Sequence, residues 1–219
     1  MAIRSDNWTD ELYDNLSHPT GEGIVVDIGT GDGRFVYQSA RENPKKFYIG
    51  IDASRGPLAK ISEKIHRRPE KGGLANILFI QAAVENLPSE LDGIADEVHV
   101  HFPWGSLLKA VATGDPQALG GLRRICSPDA LLEVVIGLDA ERDNAEMRRL
   151  GIELPTTELL RAELALRYFS AGFEIVEKGA FYPSNWPKLR CTWAKRLRGS
   201  NKRSLVYMIA IARAHSRPG

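Results

Sequence analysis

The stretch Ile24-Val25-Val26-Asp27-Ile28-Gly29-Thr30-Gly31-Asp32-Gly33 decides the fold. Its first five residues are a short apolar run holding a single acid, the length and composition of a buried strand. Glycines follow at alternate positions, Gly29, Gly31 and Gly33. Without a Cβ the backbone can turn sharply there and let a ligand come close. Helical spacing resumes from Arg34 to Arg41. Strand, glycine turn and helix open an α/β unit whose ligand crevice lies at the carboxyl ends of parallel strands. The turn is not the dinucleotide fingerprint GxGxxG. Arg34 stands three positions after Gly31, where a third glycine would let the helix close on a pyrophosphate. Asp27 would repel a pyrophosphate but tolerate a cationic amino-acid ligand.

Outward from this turn, short apolar runs alternate with amphipathic stretches. Further strands are expected over 47–52, 76–81, 97–102, 131–136, from 173 to 176, and over 205–212. Helices are expected over 58–65, 117–125 and 157–171, the last ending at Gly172. The pattern predicts a single doubly wound α/β domain over residues 1–219, its seven-stranded, mostly parallel sheet covered by helices on both faces. Three connections are too long for simple turns: 66–74, 139–156 (with an extra helix expected over 140–150) and 181–203. Long connections inside a compact domain are usually functional or disordered.

Composition narrows the classes. With 219 residues, 43% hydrophobic, the chain suits one globular core rather than disorder or a coiled coil. No apolar run reaches the roughly 18 residues of a membrane span. The polar start, Met1-Ala2-Ile3-Arg4-Ser5-Asp6, lacks a signal-peptide core. Cys126 and Cys191 lie 65 positions apart without a CxxC or Cys/His spacing, so neither a disulfide framework nor a metal site is expected. These readings point to a cytoplasmic protein without membrane contact. The net charge of +1 conceals a division at Glu177, the last acid. Beyond it stand ten basic residues and no acid; before it, 19 basic against 28 acidic, a net of −9. Such asymmetry indicates a nucleic-acid or anionic-surface contact from the C-terminal part. The stretch 55–73 is also basic, with six Lys or Arg against two Glu.

The strand ending at Asp52 places a carboxylate where both hydroxyls of a ribose could be held. After the next strand come the small Ala82 and Ala83, then Val84 and Glu85, suited to border a flat adenine ring. Ribose, adenine and a sulfonium without phosphate describe S-adenosylmethionine (AdoMet), and DxGxGxG resembles the first motif of the class I methyltransferases. In that group the end of the fourth strand faces the transferred methyl group. Here it reads Phe102-Pro103-Trp104-Gly105-Ser106, with no Asn or Asp to accept an amino proton. A ring nitrogen with its own lone pair is therefore a better acceptor than an exocyclic amine. Trp104 is read as stacking on an extruded base. Trp193 lies in a basic, proline-interrupted stretch, Thr192-Trp193-Ala194-Lys195-Arg196, that combines stacking with phosphate contact.

DIGTGDGR at 27–34, FYIGID at 47–52, KGGL at 71–74, AAVENLP at 82–88, FPWGSLL at 102–108 and TWAKRL at 192–197 resemble one family. It is the Kam/Npm-like aminoglycoside-resistance 16S rRNA (adenine(1408)-N(1))-methyltransferases, matched from about Ile24 to the end. The resemblance implies a class I AdoMet-dependent methyltransferase fold and methylation of N1 of that adenine, in helix 44 of the 30S subunit. It implies that Trp104 and Trp193 sandwich the flipped base and that Ser106 places a hydroxyl near the methionine or acceptor end. It assigns Asp27, Gly29, Asp52, Ala83 and Glu85 to the cofactor pocket, and Thr30, Gly31, Gly33, Ala82 and Ser106, in or beside the same motifs, are read as cofactor-binding with them. Lys71, Arg196 and Arg203 match rRNA backbone contacts, and Arg67, Arg68 and Lys195 extend the same basic stretches. Two positions depart from the family: Cys191 where Ser or Thr is common, and Asn201 where Arg is common, with Lys202 beside it as a substitute.

The implied chemistry asks for no side-chain base, because neutral adenine exposes an unprotonated N1 and the sulfonium is already activated. Orientation can contribute up to roughly 7–11 kcal/mol. Two indole faces around the developing cation would add about 0.5–2 kcal/mol. The nearest rival is a tRNA guanine-N7 methyltransferase, which has an acid before its Pro-Trp and basic residues after it. Phe102 and Gly105-Ser106-Leu107 stand in those places here. A rival of another class is a non-catalytic, AdoMet-responsive RNA-binding module. The chain is expected to act as a monomer.

Overall fold

Strand β1 (Ile24–Ile28) runs into the glycine turn, and α1 (Arg34–Glu42) returns along the sheet. The chain continues through β2 (Phe47–Asp52), α2 (Arg55–Ile65), β3 (Ile77–Gln81), β4 (Ala95–His101) and α3 (Gly105–Thr113). Then follow α4 (Pro116–Ile125), β5 (Cys126–Leu138), α5 (Asn144–Leu150), α6 (Ala162–Ser170), β6 (Phe173–Phe181) and β7 (Ser204–Ala212). This is a computed structural model that describes residues 22–139, 142–152, 162–181 and 204–213.

The strands form one seven-stranded sheet in the order β3-β2-β1-β4-β5-β7-β6. The pairs β1·β2, β1·β4, β2·β3 and β4·β5 are parallel, while β7 is antiparallel to both neighbours. Six strands therefore share one direction and β7 alone opposes them, which makes the sheet mostly parallel as expected. The reversal has a positional consequence. Since β6 ends and β7 begins at the carboxyl edge, the 182–203 connection leaves and re-enters where β1 and β4 also end.

Alternation along each strand sorts side chains between two faces. Val26 and Ile28 of β1, Val98 and Val100 of β4, and Leu132 and Val134 of β5 belong to the larger apolar core, with Leu108 of α3, Leu119 of α4 and Tyr168 of α6. Val25 of β1, Tyr48 of β2 and Phe79 of β3 face the other way, against Val36 of α1 and Leu58 of α2. Helix α4 starts cleanly because Asp115 accepts from the Gln117 and Ala118 N–H groups, both at 3.0 Å, with Pro116 in the first turn.

Several boundaries differ from the sequence expectation. Helix α2 begins at Arg55 rather than Leu58, because Pro57 falls in the first turn, where its missing N–H costs nothing. Strand β5 starts at Cys126 instead of Leu131 and carries a register shift against β4. Helix α3 was not expected at all. It has no capping side chain, and Gly105 opens it at φ +58, so the usual start signals are missing.

Candidate functional site

The glycine turn builds the floor of a crevice at the carboxyl ends of β1, β2, β3 and β4. Gly29 and Gly31 take φ of +75° and +60°, a region that side chains disfavour. A Cβ on Gly29 would stand 2.6 Å from Leu107 Cδ2, whereas one on Gly31 would meet no protein atom within 4 Å. The backbone at Gly31 thus borders open space. Its N–H donates to Asp52 Oδ2 at 2.9 Å, and the Ser54 N–H donates to Oδ1 at 2.8 Å. Two backbone donors orient the Asp52 carboxylate, and each oxygen keeps a lone pair for a further donor.

The crevice encloses about 390 Å³. Gly29, Gly31, Asp52, Ala82, Ala83 and Glu85 line it, joined at the far end by Trp104 and Ser106. Eight of the residues singled out from the sequence therefore meet in one cleft. Asp27, Thr30 and Gly33 do not line it. They lie buried behind it, with Gly33 packed on Phe79 and Ile61. Direct contact of the Asp27 carboxylate with a ligand in the crevice thus finds no support in this placement. Among the described residues that line the cleft, Asp52 and Glu85 are the only ionisable ones.

A strained backbone presents the acceptor end. Phe102, at φ +51, leaves the β4 line while its N–H still donates to the Val135 carbonyl at 2.7 Å. That conformation costs about 1–3 kcal/mol. The Phe102 ring lies close over Gly137, where a Cβ would come within 2.9 Å of it. Packing of the ring supports the turn, Pro103 is buried, and Trp104 emerges 50% exposed at the crevice mouth. No sequence signal announced the positive φ at Phe102 or the bonding role of Ser54.

The basic residues fall into two groups. Arg67, Arg68 and Lys71 are exposed on the 66–74 connection, and none of that connection lines the crevice. Its path is fixed from inside: the Tyr37 hydroxyl donates to the Gly72 carbonyl at 2.8 Å, and Lys64 Nζ sits 3.9 Å over the Tyr37 ring. Gly73 has no room for a Cβ, which would stand 1.7 Å from the Arg67 carbonyl oxygen. Trp193, Lys195, Arg196, Lys202 and Arg203 lie outside the described residues.

Behind the crevice the α1 face of the sheet carries polar side chains across β1, β4 and β5. Asp27, His99 and Glu133 occupy one register row, and His101 and Glu97 flank His99 on the same face. His101 Nε2 lies 2.5 Å from Glu133 Oε1, and His99 Nε2 lies 3.4 Å from Glu97 Oε2. Lys46 Nζ reaches Glu97 Oε1 at 2.5 Å. Burial alone would lower the His99 pKa, but hydrogen bonds to Glu133 and Glu97 raise it to about 9. Hydrogen bonds from His101 and His99 hold Glu133 well below the usual carboxylate range. Burial pushes the Asp27 carboxyl upward, against the pull of His101 and His99. Sequence reasoning passed over this row; its one visible signal was the alternation Glu97-Val98-His99-Val100-His101 on a predicted strand.

Comparison with known proteins gives four findings of the same kind. A family model described as NpmA, 16S rRNA (adenine(1408)-N(1))-methyltransferase, matches residues 6–212. The chain is 37% identical over 203 residues to a 16S rRNA (adenine(1408)-N(1))-methyltransferase of Streptoalloteichus tenebrarius, covering 93% of each. Among solved structures it resembles the aminoglycoside resistance methyltransferase NpmB1, at a TM-score of 0.80 and 43% identity over 93% of both chains. It also resembles a tryptophan-to-alanine mutant of the 16S rRNA (adenine(1408)-N(1))-methyltransferase from Catenulisporales acidiphilia, solved with its cosubstrate SAM. That match has a TM-score of 0.84 and 30% identity over 96% and 94% of the two chains.

Proposed function

The chain belongs to the 16S rRNA (adenine(1408)-N(1))-methyltransferase family, and from that premise we propose that it methylates N1 of that adenine in the decoding site, using AdoMet. The fold is that of a class I methyltransferase. The observation that carries the reading is a single cleft running from the Asp52 carboxylate to the half-exposed Trp104. A relative of this fold has been solved with SAM. The groups present here suit that cofactor: an oriented carboxylate to accept from ribose hydroxyls, small Ala82 and Ala83 for an adenine edge, and glycine backbone open to a close approach. Asp27, Thr30 and Gly33 shape the loop from behind.

Bound AdoMet supplies an activated methyl group on a sulfonium. The protein's part is to hold the acceptor nitrogen in line with it and keep water out. Trp104 stacks on the extruded adenine from the crevice side, and Trp193 covers the opposite face. Ser106 presents its hydroxyl between the two substrates. No side-chain base takes part, because N1 of neutral adenine carries its own lone pair and has no proton to lose. Arg67, Arg68, Lys71, Lys195, Arg196, Lys202 and Arg203 bind the rRNA backbone around helix 44 of the 30S subunit. The protein works as a single-domain monomer in the cytoplasm, where its substrate is. Among the described residues no helix is long and apolar enough to cross a membrane.

Transfer of labelled methyl from AdoMet to purified 30S subunits, with none to bulk tRNA, is the expected result. Label in tRNA alone would favour the guanine-N7 rival, and label in neither would favour the non-catalytic module. A kanamycin- and apramycin-sensitive host expressing the protein should become resistant.

A further inference from the structure

We propose that His99, His101 and Glu133 form a binding site for one divalent transition-metal ion of the zinc type. The site lies on the α1 face of the sheet, outside the crevice, and is independent of the methyl-transfer reading. His99 and His101 project to the same face of β4 because they are two residues apart on one strand. Glu133 of β5 is the direct register partner of His99. Three candidate ligand atoms converge as a result. His99 Nδ1 and His101 Nε2 are 3.3 Å apart, His99 Nδ1 and Glu133 Oε1 3.5 Å, and His101 Nε2 and Glu133 Oε1 2.5 Å.

These separations can be set against coordination geometry. A tetrahedral zinc ion with bonds of about 2.0–2.1 Å spaces its ligand atoms by about 3.3 Å. Two edges of the triangle already match. The third is a hydrogen bond that has to open by about 0.8 Å to reach that spacing, a shift within the reach of carboxylate rotation in Glu133. Once the ion displaces the proton that His99 holds near neutral pH, two imidazoles and one carboxylate are a donor set used by zinc, and nitrogen donors disfavour magnesium and calcium. The outer contact of His99 also fits, whereas the distal Nδ1 of His101 is buried without a hydrogen-bond partner. His99 meets Glu97 through Nε2, and Lys46 fixes Glu97, which leaves Nδ1 of His99 facing the cluster. A carboxylate on the distal nitrogen is the usual support for a metal-bound histidine. Asp27, in the same register row, places a further carboxyl group beside the site. Glu133 is 26% exposed at its side chain, so the cluster is not sealed from solvent. His101 directly precedes Phe102. An ion bound there would tie β4 to β5 at the strand end that presents Trp104.

The test uses the full chain after chelator treatment, with zinc chloride, cobalt chloride and magnesium chloride as probes. Equilibrium dialysis should find one zinc per chain, with a rise in Tm that magnesium does not give. Cobalt should give visible d–d bands without a thiolate charge-transfer band, since the ligands are nitrogen and oxygen. Glu133→Gln should weaken zinc binding at least tenfold while circular dichroism and AdoMet affinity stay unchanged. Should that variant fail to fold, Glu97→Gln decides, because it touches no ligand position. A tenfold to hundredfold loss of zinc affinity is expected there. No zinc bound at micromolar concentration, a thiolate band with cobalt, or unchanged affinity in the folded variants would overturn the proposal.

Discussion

The two halves of the sheet do their work by different means. On the β1–β2–β3 side the crevice is made mainly by backbone and small side chains: Gly29, Gly31, the N–H groups on Asp52, and Ala82 and Ala83. On the β4–β5–β7–β6 side the cleft ends in one large ring, Trp104, carried by a strained turn at Phe102. From that side the chain also leaves on the 182–203 connection that carries Trp193 and much of the basic excess. On the proposed reading, the cofactor is held by short-range geometry within a few residues of each strand end. The acceptor is held by Trp104 and by a connection far along the chain, whose flanking strands β6 and β7 meet at the carboxyl edge.

Substitutions in one half should therefore leave the other intact. Removing both indoles, Trp104→Ala with Trp193→Ala, should have the largest effect, because stacking on a base is worth about 1–3 kcal/mol per aromatic. Each single change is expected to lower kcat/KM for 30S subunits by about 10- to 100-fold, and the pair by more. AdoMet affinity of Trp193→Ala should match the parent in calorimetry. A parallel loss of AdoMet binding would dissolve the division between the halves.

Asp52→Asn comes next. It removes the charge while keeping the shape, and a hydrogen bond to a charged group contributes about 1.5–3 kcal/mol. AdoMet should bind roughly tenfold to a hundredfold more weakly, while the Kd for 30S subunits stays unchanged. Gly73→Ala forces its new Cβ onto the Arg67 carbonyl and should displace the 66–74 connection. A loss of about 2–4 kcal/mol in urea unfolding is expected, with 30S binding impaired more than AdoMet binding. The smallest effects belong to single phosphate contacts. Lys71→Ala should weaken 30S binding a few-fold and reduce the slope of log K against log salt by about 0.7–0.9. An unchanged slope would remove Lys71 from the interface.

How much of this was legible in the sequence follows the same division. The cofactor half was readable because its determinants are local: glycines at alternate positions, an acid at the end of β2, small residues after β3. Even there, the spacing of Asp27 from Gly29 could not tell that its side chain points behind the crevice. Strand alternation sends it to the face of His99, whereas Ile28 reaches the cleft. Helix α3 escaped notice because its start has neither a cap nor an acidic first turn. The polar row was hidden for a topological reason. His99 and Glu133 are 34 positions apart in the chain, and only the β4·β5 register makes them neighbours. The charge division at Glu177, by contrast, was plain from counting. What it could not reveal is that β7 runs backwards and so returns the basic connection to the carboxyl edge.

Primer extension on 16S rRNA locates the methyl group. The measurement takes 30S subunits incubated with the purified protein, with and without AdoMet. An AdoMet-dependent stop is predicted immediately before adenine 1408, because methylation at N1 blocks the Watson–Crick edge that reverse transcriptase must read. Unimpeded read-through at that adenine, or a stop at another site in its place, would contradict the account.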